Sequence, residues 1–227
     1  MPPDTSVFVA PGMRAVARAV LGKIRVRVDG VENVPASGPA LLVCRHHHHL
    51  YDGAALVLAI RRPVRMIVGL DWVKDQGQRA YMEALCAIAG WPVVLRDETE
   101  GNPWGDGYRT SERRRYARAA LTQSVDVLRR GGVLAMFPEG YPEIDPAGTA
   151  GSDAVRPFAP GYLSIAVRAG RGGRPVPLVP AGFSYAGPPD KPESIALRFG
   201  APESIASVSQ RASVGRSVEA KVRALSA

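Results

Sequence analysis

An α/β fold with a mixed, largely parallel sheet flanked by helices is predicted by three features of this 227-residue chain. Short apolar runs alternate with longer segments of helical periodicity, the order that builds strand–helix–strand units. Two of those runs, Ala40-Leu41-Leu42-Val43-Cys44 and Val133-Leu134-Ala135-Met136-Phe137, are apolar throughout, as in strands covered on both faces. At 46% hydrophobic residues the length suits one well-buried domain. We expect that domain over residues 25–227, preceded by an amphipathic helix over residues 1–24.

In chain order, Pro11 suits the first turn of the N-terminal helix, and Met13, Val16, Ala17, Val20, Leu21 and Ile24 recur at helical spacing with Arg14, Arg18 and Lys23 off the stripe. Such a stripe either packs on a core or lies on an anionic membrane. Residues 24–29 alternate apolar and charged, a strand with one wet face; Gly30, Pro35, Gly38 and Pro39 then form a loop. The run 40–44 is a buried strand, and Asp52 can cap a helix over residues 52–60. Residues 64–68 read as a strand, residues 76–89 as a helix with Tyr81, Leu85 and Ile88 on one face and Gly90 as its stop, and residues 92–95 as a short strand ending at Arg96.

A loop over residues 98–108 carries Trp104 and leads to a cap at Thr110 or Ser111. The following helix turns Ala117, Ala120, Leu121, Val125 and Leu128 inward and stops at Gly131-Gly132. Arg113, Arg114, Arg115 and Arg118 near its start oppose the helix dipole and form either a solvated face or an anion contact. The strand 133–137 ends on Pro138-Glu139-Gly140, where proline and glycine fix the carboxylate's direction and let backbone approach a ligand. A helix opens at Arg156-Pro157-Phe158-Ala159-Pro160-Gly161 and runs to Ala169; the proline-broken run 176–183 reads as a strand near an edge or bulge. A strand at 195–199 and a helix at 209–225 complete the chain, with no internal repeat.

Charge and cysteines narrow the function classes. A net charge of +8, mostly from arginine, suggests anionic partners such as phospholipid surfaces, nucleotide-like cofactors or acidic carrier proteins. Nucleic acid is not expected, because the basic residues are spread along the chain without the interleaved aromatics of a single-strand platform. Two cysteines, Cys44 and Cys86, in apolar surroundings and without a secretory signal fit a reducing cytoplasm. No run reaches the length of a spanning helix.

All four histidines lie in Arg45-His46-His47-His48-His49-Leu50-Tyr51-Asp52, at the end of the first buried strand. Imidazole is the side chain that titrates near neutrality, so general-base chemistry is expected here. His47 and Asp52 span a strand-to-helix corner, where the carboxylate can hold one ring nitrogen while the other faces substrate. A zinc or nickel site completed by Cys44 or Asp52 is the metal-dependent hydrolase alternative, but neighbouring residues point apart in a strand, so no metal is expected. Gly182-Phe183-Ser184-Tyr185-Ala186 approaches a nucleophile elbow, yet every histidine precedes Ser184, contrary to that hydrolase order.

His47 to Asp52, Arg96 after a short apolar strand, Phe137-Pro138-Glu139-Gly140 and the run from Val176 to Pro180 resemble, in order and spacing, the four blocks of the glycerolipid acyltransferase family, typified by 1-acylglycerol-3-phosphate acyltransferases. Residues 29–35 and 197–202 resemble the segments that precede the histidine block and close the domain. The resemblance implies phospholipid biosynthesis: acyl transfer from a thioester, acyl-CoA or acyl carrier protein, to a hydroxyl of a lysophospholipid-like acceptor, without a permanently bound cofactor. It implies His47 as base, Asp52 as its orienter, Arg96 on the acceptor phosphate, and Glu139 with Gly140 positioning the acceptor. It further implies a cytoplasmic enzyme, peripheral at the inner face of an anionic membrane.

Two positions depart from the family pattern. His46 stands where a small polar residue often precedes the reactive histidine, and Tyr141-Pro142 stand where a hydroxyl residue and an arginine commonly follow the glutamate-glycine pair. A non-phosphorylated acceptor of glycolipid or carotenoid type is therefore the alternative, with Arg96, Arg156 and Arg113 to Arg115 as phosphate or CoA contacts.

Overall fold

The computed structural model describes residues 6–73, 75–96, 110–144, 157–188 and 191–227, with side chains from Ala10 onward. Strand β2 (Ala40–Cys44) is the centre of the fold, because its unbroken apolar run can be covered on both faces. Ala40, Leu42 and Cys44 face one core, and Leu41 and Val43 the other, as the two-residue period of a strand requires. Helix α1 (Ser6–Leu21) and helix α2 (Tyr51–Ala59) cover the first face, with Ala17, Leu21, Ala55 and Leu56 buried there. Helices α4 (Thr110–Arg129), α5 (Gly161–Gly170) and α6 (Arg211–Leu225) cover the second with Val125, Leu128, Tyr162, Ala166, Val218 and Val222.

The main sheet adds β1 (Arg25–Asp29), β3 (Val64–Met66), β6 (Val133–Met136), β7 (Pro177–Ala186) and β8 (Ser194–Phe199) in the order β1-β8-β7-β2-β6-β3, with β9 (Glu203–Ser204) on β7. Strand β2 runs parallel to both β6 and β7, and β3 parallel to β6; β7 and β8 are antiparallel, so the sheet is mixed and largely parallel as predicted. A separate parallel pair joins β4 (Val68–Gly69) and β5 (Val93–Val94) beside α3 (Gln76–Ala89).

Several details differ from the sequence expectations. The predicted strand over 64–68 divides at Ile67, whose N–H still bonds Ala135 O on β6 (3.2 Å) while Val68 N–H bonds Pro92 O (2.9 Å), so the chain changes sheets within one residue. Strand β7 is interior rather than an edge: Pro180 is tolerated because it falls between the β9 pairing at Pro177 and Leu178 and the β8 pairing from Ala181 onward. Helix α1 begins at Ser6, upstream of Pro11. The shared face of Tyr81, Leu85 and Ile88 in α3 points to solvent, at 65%, 47% and 58% exposure, while Cys86 and Ala89 point inward. Ala117 is exposed on α4, although Ala120, Val125 and Leu128 are buried as expected. The loop expected over 98–108 with Trp104, and Arg156, lie outside the described residues.

Candidate active site

The parallel strands deliver their C-terminal ends to one place, the usual location of a ligand site in an α/β sheet. From β2 comes the histidine run, from β6 Phe137-Pro138-Glu139-Gly140, from β5 Leu95-Arg96, and from β4 Leu70-Asp71. Beyond Cys44 the chain leaves strand geometry, and each imidazole takes a different partner.

Asp52 is the hub of the corner. It is fully buried, and its Oδ2 accepts the main-chain N–H of His47 (2.7 Å) and of His48 (2.9 Å) and lies 2.9 Å from His46 Nδ1. The Tyr185 hydroxyl, from β7, donates to the other oxygen, Oδ1. Burial and the adjacent Asp52 charge raise the Tyr185 pKa far above its usual range, so the phenol remains a donor. The same pair of causes, in the same order, keeps the buried Cys44 thiol protonated.

This corrects the expected pairing. Asp52 holds the main chain of His47 rather than its ring, and the ring it meets is that of His46. His47 Nδ1 lies instead 2.8 Å from Oε2 of Glu143, which also accepts from Arg45 Nη2 at 2.8 Å. The reason is local: residues 47 and 48 turn their N–H groups in toward the carboxylate, and that turn carries the His47 ring outward onto Tyr185, with ring centroids 4.3 Å apart. The His46 ring stacks on Phe137 at 4.2 Å.

Nor does Asp52 cap α2, which already begins at Tyr51. The N-cap position is Leu50, and the N–H groups of Leu50 (3.2 Å) and Tyr51 (3.4 Å) are met by Nδ1 of the preceding His48 ring. Burial first, and then the charge of His49, push the His48 pKa down to about 4, so the ring stays neutral and able to accept. The exposed His49 has its Nδ1 3.4 Å from Ile144 O. With four rings turned to four sets of partners, no group of three or more metal-ligating side chains is assembled among the described residues.

Glu139 and Gly140 stand across from this corner. Glu139 Oε2 accepts the His46 N–H (3.3 Å), while its Oε1 is buried without a hydrogen-bond partner among the described residues. Burial pushes the Glu139 pKa up to about 7, against the lowering effect of that N–H and of Arg45. Gly140 has φ +83°, a left-handed conformation that explains the glycine.

Arg96 is already engaged. Its Nε and Nη2 each lie 2.8 Å from an oxygen of buried Asp71, its Nη1 donates to the Gly140 carbonyl, and the guanidinium covers the Tyr141 ring at 3.6 Å. Gly69 permits this seat, since a Cβ there would come within 2.9 Å of Arg96 Nε. Arg113 is buried on α4, and Arg114 and Arg115 are exposed. Ser184 Oγ accepts from Arg198 (3.0 Å), so the nucleophile-elbow resemblance finds a structural hydroxyl.

Sequence reasoning missed Asp71, Glu143 and Tyr185. Asp71 carried no motif signal, Tyr185 stood out only as a neighbour of Ser184 in the nucleophile-elbow run, and the only hint of Glu143 was its place after the departure Tyr141-Pro142.

No curated protein sequence matches the chain. Among solved structures it is similar to the crystal structure of the 1-acyl-sn-glycerophosphate (LPA) acyltransferase PlsC from Thermotoga maritima. The TM-score is 0.60 at 21% identity, over 97% of this chain and 79% of that one, a likeness of fold. The acyltransferase family model matches residues 25–184, more than half of the chain, including the histidine run, Asp52, Asp71, Arg96, Glu139, Gly140 and Glu143, with Tyr185 one position beyond it. The chain therefore belongs to the acyltransferase family and is an acyltransferase.

Proposed function

We propose that the enzyme moves a fatty acyl group from a thioester donor, acyl-CoA or acyl carrier protein, to a hydroxyl of a lysophospholipid-like acceptor, with His47 as general base. The observation that carries this reading is the corner at the end of β2, where a buried carboxylate fixes the main chain of His47 and Glu139 of the Glu139-Gly140 turn accepts the His46 N–H beside it. An alcohol attacks a thioester only if a base takes its proton in the transition state, which contributes about a hundredfold to ten-thousandfold. His47 Nε2 takes that proton, the new C–O ester bond forms, the C–S bond breaks, and the imidazolium returns the proton to the departing thiolate. Glu139 and Gly140 hold the acceptor, with the partnerless Oε1 of Glu139 as a ready acceptor for a substrate hydroxyl. Arg96 offers its remaining guanidinium N–H groups to acceptor oxygens.

The engagement of Arg96 by Asp71 favours a second reading, a non-phosphorylated acceptor of glycolipid or carotenoid type, because the fork that would grip phosphate is matched by a carboxylate. Residues 25–227 form the catalytic domain in this proposal, and residues 1–24 belong to its membrane side. The enzyme works in the cytoplasm, peripheral at the inner face of the membrane. No helix among the described residues is long and apolar enough to cross a membrane. Since α1 turns Ala17 and Leu21 into the core, we place the apolar contact with an anionic bilayer at Tyr81, Leu85 and Ile88 of the neighbouring α3. The +8 charge favours such a surface.

Thiol release from long-chain acyl-CoA, and from acyl carrier protein carrying the same chain, is the test, with lysophosphatidic acid, with a glycolipid alcohol and with no acceptor. Release that depends on lysophosphatidic acid and is lost in His47→Ala supports the first reading; dependence on the glycolipid alone supports the second. Absence of acceptor-dependent release with either donor class removes both. Sedimentation with anionic liposomes should be lost in the triple variant Tyr81→Ser, Leu85→Ser, Ile88→Ser, and no binding by wild type would end the membrane proposal.

A further inference from the structure

We propose that Glu143 is the positioning residue of His47, the carboxylate that sets the tautomer and direction of the ring; this rests on the reading of His47 as the base. A base must present a lone pair at a fixed place, and a neutral imidazole does so only when its other nitrogen is held as N–H. His47 Nδ1 lies 2.8 Å from Glu143 Oε2, so Nδ1 carries the hydrogen and Nε2 keeps the lone pair.

The carboxylate is itself held from two directions. Arg45 Nη2 donates to the same oxygen at 2.8 Å, a charge-assisted bond that fixes the rotamer. The main chain of Glu143 and Ile144 is laid along the histidine run: Glu143 N–H donates to His46 O (3.0 Å), Ile144 N–H to His47 O (2.7 Å), and His49 N–H to Ile144 O (3.4 Å). His48 and Ile144 form a parallel bridge. At the other end of this short strap Tyr141 is buried beneath the Arg96 guanidinium.

Backbone pairing therefore delivers Glu143 to His47 whatever the side chains do. The Asp52 carboxylate makes no such contact with the His47 ring: its oxygens take the two main-chain N–H groups, the His46 ring and Tyr185. In the transition state the His47 imidazolium forms against a carboxylate already in contact, which stabilises the charge without taking the proton.

The test combines a signature of the ring with the kinetics. In protein labelled with 15N-histidine, His47 should report hydrogen at Nδ1 in wild type and shift toward the Nε2–H form of free imidazole in Glu143→Ala. The His46 signal, held by Asp52, should stay unchanged. Glu143→Gln keeps an oxygen acceptor and should keep the tautomer without the charge. With acyl-CoA and saturating acceptor, kcat should fall at least about tenfold in Glu143→Ala, a part of the hundredfold to ten-thousandfold of a general base, with KM little changed and Glu143→Gln in between. An unchanged His47 tautomer in Glu143→Ala would overturn the proposal, and so would a wild-type kcat in that variant. If Glu143→Ala fails to fold, a kcat in Glu143→Gln within twofold of wild type overturns it as well. The tautomer measurement needs no turnover, so it decides the role of Glu143 even if the acyl-transfer reading itself fails.

Discussion

Replacing Asp52 by Asn tests the claim that this carboxylate builds the corner rather than merely charging a ring. Four groups converge on it: the N–H of His47 and of His48, the His46 ring and the Tyr185 hydroxyl. Hydrogen bonds to a charged group contribute about 1.5–3 kcal/mol, against about 0.5–1.5 for neutral ones. Asn keeps one oxygen for the main-chain donors and the His46 ring but loses the charge, and its amide nitrogen, at the other position, forces Tyr185 to turn from donor to acceptor. Roughly 1 kcal/mol lost at each of two to four bonds makes about 2–4 kcal/mol. At about 2–4 °C per kcal/mol for a domain of this length, Tm should fall by about 5–15 °C. Circular-dichroism melts give that number, and thiol release measured well below the lowered Tm separates lost folding from lost chemistry. Asp52→Ala, which leaves the same donors buried and unmet, should approach the whole stability of an ordinary domain and yield little folded protein. An Asn variant that melts within about 2 °C of wild type while inactive would refute the corner and leave Asp52 an electrostatic role alone.

His47→Ala should lose about a hundredfold to ten-thousandfold in kcat with its Tm kept, and His46→Ala should lose less; the reverse order in the same assay would transfer the base to the ring that Asp52 holds. Arg96→Ala should destabilise by about 3 kcal/mol, because it strands the Asp71 carboxylate, 1% exposed, without its bidentate partner. A Tm equal to wild type would show that Asp71 finds another cation. For Glu139, whose pKa is raised to about 7, the folded carboxyl keeps its proton over a range where the unfolded one has lost it. Stability from this group is thus present below the ordinary carboxylate range and declines as pH rises from about 4.5 through about 7. Glu139→Gln should remove that decline, so melts at about pH 5 and about pH 8 should differ less in the variant than in wild type.

Three things were legible in the chain alone because their signals are local. Apolar runs and helical stripes located nearly every element, since burial on a sheet or helix imposes its period on the sequence itself. Short-range spacing also singled out the histidine run with Asp52, and the glutamate-glycine pair at the end of β6. These residues do come together, because parallel strands must present their C-terminal ends on one side of the sheet.

Only the tertiary structure decided which carboxylate meets which ring. His47 and Asp52 are sequence neighbours, yet the turn that points the His47 and His48 N–H groups at Asp52 carries the His47 ring toward Glu143, 96 positions along the chain. Arg96 likewise owes its charge partner to Asp71, delivered by a second small sheet that one apolar run, split at Ile67, helps to form. The exposed face of α3 has the same origin: periodicity groups Tyr81, Leu85 and Ile88, but only packing determines whether such a face turns inward. A sequence records which side chains share a face, whereas partners drawn from distant strands depend on the register and crossing of elements that no local pattern encodes.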